Sequence, residues 1–141
     1  MIGKQFLCAL VTVGFAVAVC GCDSLPKDPT DEDLIWETLS TWKTGIESAD
    51  IDLMMTAISE DFVGPEGVEK AAFHLYMASL FHDSTLADAE MLMERMTLVI
   101  AHDKASAKNL GLRSRGAAAV IDFDLEKEDD GVWRIVSIQL Y

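Results

Sequence analysis

This 141-residue chain is poor in the residues that most often carry cross-links or chemistry. Its three cysteines, Cys8, Cys20 and Cys22, all fall within the first 22 positions. Everything beyond Cys22 therefore has no thiol for a disulfide, a zinc cluster or a covalent nucleophile. Basic residues are scarce: 11 Lys and Arg stand against 24 Asp and Glu, a formal charge of −13. Such a surface does not attract nucleic acid or anionic lipid headgroups. His82-Asp83 and His102 are too scattered for the tight spacing of zinc or facial-triad sites, so no metal is expected. No serine triad, phosphate-binding glycine loop or dinucleotide fingerprint is present, and no cofactor is implied. The longest apolar run, Phe6 to Cys20, is broken only by Thr12 and Gly14. It falls short of the roughly 20 residues a spanning helix needs.

That run has a different reading. Lys4 precedes it as a positive n-region, and Val19-Cys20-Gly21-Cys22 follows. The arrangement resembles a bacterial lipoprotein signal peptide ending in a lipobox. The resemblance implies cleavage between Gly21 and Cys22 and acylation of the Cys22 thiol; Cys20 fits less well because Val19 would precede the cut. Several acyl chains would hold the protein at a membrane where a single chain would not. Residues 1–21 are then a cleaved signal, 22–29 a lipidated tether and 30–141 the folded domain, on the periplasmic side of the cell membrane. Asp23 resembles the enteric signal for retention at the inner membrane. The mature chain would have 120 residues, 24 acidic against 10 basic, enough for one domain.

Pro26, Pro29 and the polar residues between them read as linker. Thr30 is a good N-cap, Asp31, Glu32 and Asp33 complement the helix dipole, and Ile35, Leu39, Trp42 and Ile46 recur at helical spacing. A first helix is predicted over 31–48. Asp50 caps a second over 51–58, and Gly64-Pro65 precedes a third over 66–81, with Val68, Ala72, Leu75 and Ser79 as its inner stripe. Alternating segments at 91–100, 105–113, 116–128 and 132–141 predict about four antiparallel strands, with Asp129-Asp130-Gly131 as a hairpin turn. Helices followed by strands make an α+β domain.

Several pieces together resemble the nuclear transport factor 2-like superfamily, which includes ketosteroid isomerases and polyketide cyclases. They are the Trp42 helix, the step Glu47-Ser48-Ala49-Asp50, the segment Ser59-Glu60-Asp61-Phe62-Val63-Gly64, and above all Leu125 to Ile135 with its acidic-Gly turn and Trp133-Arg134-Ile135. The resemblance implies a cone-shaped fold, three N-terminal helices on a curved antiparallel sheet, with an apolar cavity for a small ligand. None of these motifs is catalytic, and the superfamily holds enzymes, binders and scaffolds.

Hairpin register decides which side chains face the cone. A three-residue turn with Gly131 left-handed sets Trp133 and Ile135 beside Ile121, Phe123 and Leu125 in one apolar face, and is expected for that reason. Asp122, Asp124 and Glu126 then share the outer face with Arg134, Val136, Ile138 and Leu140, whose apolarity suggests a covering second subunit. A two-residue turn would instead put Asp122 and Asp124 in the cone, where burial raises a carboxyl pKa toward proton-transfer duty. Asp61 is a further candidate base, with capping or solvation as its ordinary role. His74 and Tyr76, about 200° apart on a helix, cannot form one dyad but could each act as a donor. Trp36 and Tyr76 are candidates for the pocket mouth. The expectation is a membrane-tethered, noncatalytic ligand-binding or assembly module; the alternative is a small lyase or isomerase with a pocket carboxylate.

Overall fold

The computed structural model describes residues 27–141. The signal segment, Cys22 and Asp23 lie outside the described residues. No described helix is long and apolar enough to cross a membrane.

Helix α1 (Asp31–Glu47) starts where its cap predicts. Thr30 accepts from the Asp33 amide while the Asp33 carboxylate takes the Thr30 amide at 2.8 Å, closing a capping box. Its buried side, Ile35, Leu39, Trp42 and Ile46, is the stripe read from the sequence. Helix α2 (Ile51–Thr56) is capped by Asp50 and ends two residues earlier than expected. The chain then enters a strand that the sequence did not announce, β1 (Ile58–Val63), whose polar Ser59-Glu60-Asp61 hides its period. After a short 3-10 turn at Pro65–Gly67, α3 runs Lys70–His82.

The remaining strands are β2 (Glu90–Leu92), β3 (Thr97–Ala101), β4 (Lys104–Arg113), β5 (Ala118–Lys127) and β6 (Trp133–Leu140). The sheet has six strands, in the order β1-β6-β5-β4-β2, with β3 also on β4. It is mixed, because β1 pairs parallel to β6. The expected strand at 91–100 is two strands. Leu92 pairs with Gly111 and Thr97 with Lys108, so 93–96 loop out against a shorter stretch of β4.

Two bulges set which side chains reach the core. In β4 the register slips between Ala107 and Leu110, with Asn109 at φ 64°. In β6 Leu125 pairs with Ile135 but Asp124 pairs with Ser137, leaving Val136 as the extra residue. Past that bulge the faces exchange. Ile138 therefore points into the core, and Leu140 pairs with core-facing Ile121, so neither joins Val136 on the outer face. The turn itself is as expected. Gly131 has φ 79°, its amide donates to Glu128 O, and the Glu128 amide donates to Val132 O, closing a three-residue loop. Trp133 and Ile135 accordingly lie buried beside Ile121, Phe123 and Leu125.

Helix α3 also departs from its predicted stripe. Phe73 and Met77 face the core, whereas Ala72, Leu75 and Ser79 face solvent, with Leu75 71% exposed. The helix carries apolar side chains all round, so spacing alone could not select the inward set. Phe73 wins because its ring fits against Phe62 and Trp42.

Candidate functional site

The interior between helices and sheet is filled by aromatic packing. Trp42 stacks on Phe73 at 6.1 Å between ring centroids and meets Phe123 edge-on at 5.4 Å, while Phe62 lies 5.0 Å from Phe73. Such offset and edge-on pairs follow from the aromatic quadrupole. Trp42 Nε1 is buried here with no hydrogen-bond partner among the described residues.

The carboxylates weighed as bases lie elsewhere. Asp122 and Asp124 project from the outer face of β5, and each is already engaged. Asp122 Oδ1 accepts from the amide of bulged Asn109 at 2.9 Å, and Asp124 Oδ1 from the Ser106 hydroxyl at 2.6 Å. The ladder continues with Glu126, paired to Lys104 at 2.7 Å, and Glu128, bonded by Ser59 Oγ at 2.7 Å and by Arg134. Thus the acidic column on β5 is satisfied, residue by residue, from β4, β1 and β6.

Asp61 is exposed on β1, and its amide donates to Ser59 Oγ at 3.2 Å. His74 is half-buried on the side of α3 facing α2, 3.6 Å from Asp52. Tyr76 is 51% exposed, its ring 6.5 Å from Phe73. Trp36 lies partly exposed on α1, off the buried stripe. His82 ends α3 and His102 sits at φ 55° in the turn between β3 and β4. The five candidates Asp61, His74, Tyr76, Asp122 and Asp124 do not converge on the aromatic interior.

The outer face instead carries an open groove of about 400 Å³ running from Val99 and Ala101 on β3, past Ser106 and Asp124, to Val136 and Ser137 on β6. Beside it, at the end nearest the β5–β6 turn, a polar network joins Ser59, Glu128, Arg134 and Asp130. Arg134 bonds Asp130 at 2.8 Å, holding the Asp130 carboxyl below its ordinary value, with the Val132 amide assisting. The guanidinium is raised in turn, by Asp130 first. Sequence reading assigned this network no role. The signal available was Glu128-Asp129-Asp130 followed by Arg134 across a three-residue turn, which sets acid and base on one face.

No family model matches this chain, and no curated protein matches it. Solved structures do. It superposes on an NTF2-like protein of unknown function from Shewanella baltica OS155 with a TM-score of 0.63 at 23% identity, over 78% of this chain and 91% of that one. A protein of unknown function with a cystatin-like fold from Nostoc punctiforme PCC 73102 gives 0.64 at 15% identity, over 81% and 93%. Bd1075 of Bdellovibrio bacteriovorus gives 0.63 at 16% identity over 75% of this chain, which spans only 38% of that protein's length. At these identities the likeness concerns the fold. The domain has a nuclear transport factor 2-like fold with an open mixed sheet of six strands.

Proposed function

We propose that this chain is a lipid-anchored protein of the cell envelope, held through Cys22 on the periplasmic side, whose domain is a noncatalytic assembly module. One observation carries the noncatalytic part. Asp122 and Asp124 stand on the outer side of the sheet, each with one carboxylate oxygen bonded to β4, and Asp61 is exposed on β1, while the interior is packed with Trp42, Phe62, Phe73 and Phe123. A lyase or isomerase needs a base facing a bound substrate, and this arrangement offers none of the expected five to the interior. The outer groove and its polar network are the surface an envelope partner would meet.

A small-molecule reading has a specific observation in its favour, the unpartnered Trp42 Nε1, because a buried donor without an acceptor costs roughly 1–3 kcal/mol that a ligand could offset. The anchor is supported by the Lys4, Phe6–Cys20 and Gly21-Cys22 pattern, and Asp23 supports the inner membrane.

Two measurements test the proposal. Metabolic palmitate labelling of the full chain should mark the wild type and the Cys20→Ala variant, and not Cys22→Ala; label on Cys22→Ala would sink the anchor. Native mass spectrometry of the gently extracted protein should show protein–protein species and no retained small molecule. A reproducible extra mass of a few hundred daltons, lost in Trp42→Phe, would replace the assembly reading with a ligand-binding one.

A further inference from the structure

We infer that β3 pairs edge to edge with β3 of a second copy, joining two sheets into one, an interface that goes beyond the assembly role above and does not depend on the Cys22 anchor. Elsewhere the chain closes its own sheet edges. On β2 the Met91 amide donates to Glu47 Oε1 at 2.8 Å, and the Met91 carbonyl accepts from Lys43 Nζ at 2.7 Å. On β1 Lys70 Nζ donates to Ile58 O at 2.8 Å, and Val63 is bridged to Glu69. Strand β3, TLVIA, has no such cover. It carries no charge, proline or bulge, the devices that keep a strand edge from pairing, and Val99 and Ile100 are 58% and 38% exposed.

The β3–β4 hairpin fixes which backbone groups are open. His102-Asp103 is a two-residue turn, so Ala101 and Lys104 form a hydrogen-bonded pair, and by alternation so do Val99 with Ser106 and Thr97 with Lys108. The amides and carbonyls of Leu98 and Ile100 therefore point away from β4. No described residue bonds any of the four.

The pattern of the edge says what covers it. When two copies run antiparallel about a two-fold axis at Val99, Leu98 of each meets Ile100 of the other. All four open groups on each chain are then satisfied, by four bonds in all. A two-fold at Leu98 or at Ile100 makes only two bonds within the strand. Charge selects the same register. Glu94 and Arg95 stand exposed just before β3, and Asp103 and Lys104 stand exposed just after it. Antiparallel pairing about Val99 brings Arg95 toward the second copy's Asp103 and Glu94 toward its Lys104, at both ends of the seam. Parallel pairing would set Asp103 on Asp103 and Arg95 on Arg95. The segment is thus complementary to itself reversed, in backbone, in side chains and in charge, whereas an unrelated strand would match the backbone alone. A two-fold pair also consumes both open edges and closes the assembly.

The test is oxidative cross-linking of the full chain in its own membranes, with the wild type as background. Val99→Cys should form a symmetric disulfide dimer, because a pair without hydrogen bonds holds its Cα atoms about 4.5 Å apart, within disulfide reach. Thr97→Cys and Ala101→Cys should cross-link when mixed. Leu98→Cys mixed with Ile100→Cys should do the same from the opposite face, which two sheets packed face to face cannot. Adding Val99→Lys to the Thr97 and Ala101 pair sets two ammonium groups against each other and should cut the dimer about tenfold; Val99 is exposed in the single chain, so its fold is spared. Arg95→Asp should weaken the same cross-link about fivefold, and Arg95→Asp with Asp103→Arg should restore it. Weakening without that rescue would show that β3 meets some other strand and overturn the inference. Cross-linking at Val120→Cys, on the outer face, with none between Leu98→Cys and Ile100→Cys would move the seam to that face and overturn it while leaving the assembly role intact. No dimer above background at any β3 position would overturn it as well, and palmitate labelling reports the anchor separately.

Discussion

Asp31 and Trp133, 102 positions apart, are joined by a 3.1 Å hydrogen bond from the indole Nε1 to the carboxylate, which also accepts from Lys127 at 2.8 Å. The first residue of α1 is thereby fixed to the β5–β6 hairpin. The bond gives the buried Trp133 its polar partner and sets where the tether must leave the domain. It also makes Asp31 sensitive to pH.

The Lys127 bond first, and then the Trp133 bond, hold the Asp31 carboxyl below its ordinary 3.8. Asp130 is lowered by Arg134 first. For Glu47 desolvation pushes upward, but the Lys43 bond and the Met91 amide outweigh it, and the net shift is downward. A folded pKa below the unfolded one means the unfolded chain binds protons more readily. These groups therefore stabilise fully above the unfolded values near 4, and the contribution is lost as pH falls through the depressed folded values. Lys127 and Lys104 are raised, by Asp31 and Glu126 respectively, so their contribution is full below 10.5 and lost as pH rises through the raised values. Urea unfolding midpoints should hold level between about pH 5 and 9 and fall on both sides. Asp31→Asn should flatten the acid limb; an acid limb identical to wild type would contradict the account.

Gly45 lies on α1 where α2 crosses it. A Cβ there would stand 2.6 Å from Met54 N and Cβ, and backbone cannot yield as a side chain can. Gly45→Ala should cost about 1–3 kcal/mol by overpacking despite alanine's better helix propensity. A urea midpoint at or above wild type would show that α2 moves freely from α1.

Phe73 and Leu75 are two positions apart on α3 with opposite fates. Phe73→Ala should destabilise by about 3–5 kcal/mol, because it opens a hole between Trp42 and Phe62. Leu75→Ala should stay within about 0.5 kcal/mol when unfolding is followed at a dilution where the chain is monomeric. Equal losses at both sites would return α3 to the stripe that spacing predicts.

The helices were legible because their signals are local. Thr30 with Asp33, and Asp50, mark helix starts through bonds to amides three residues on, and the α1 stripe is carried by a helix polar on its other side. The turn at Asp129-Asp130-Gly131 was legible for the same reason, since only glycine readily adopts the positive φ that the loop requires. Strand β1 was not legible. Its polar middle has no alternation to read, and it exists through parallel pairing with β6, whose sequence lies more than 70 residues away. Of the site candidates, Asp122 and Asp124 were legible in chemistry and, through the hairpin turn, in face, but not in their partners. Nothing near Asp122 or Asp124 in the chain says that Asn109 and Ser106 will cap them.

Composition and spacing by themselves determined the acid excess, the absence of thiol chemistry beyond Cys22, the α+β order and the hairpin that places Trp133 inward. Those depend on charge count, on amide capping within a turn and on period-two alternation, all of them short-range. Tertiary structure alone decided which side of α3 is buried, that Ile138 crosses to the core while Val136 stays outside, and that bulged Asn109 caps Asp122. Each of those turns on a bulge or an aromatic fit between segments distant in sequence. A one-residue slip in β6 exchanges every face beyond it, and no local pattern records where that slip falls.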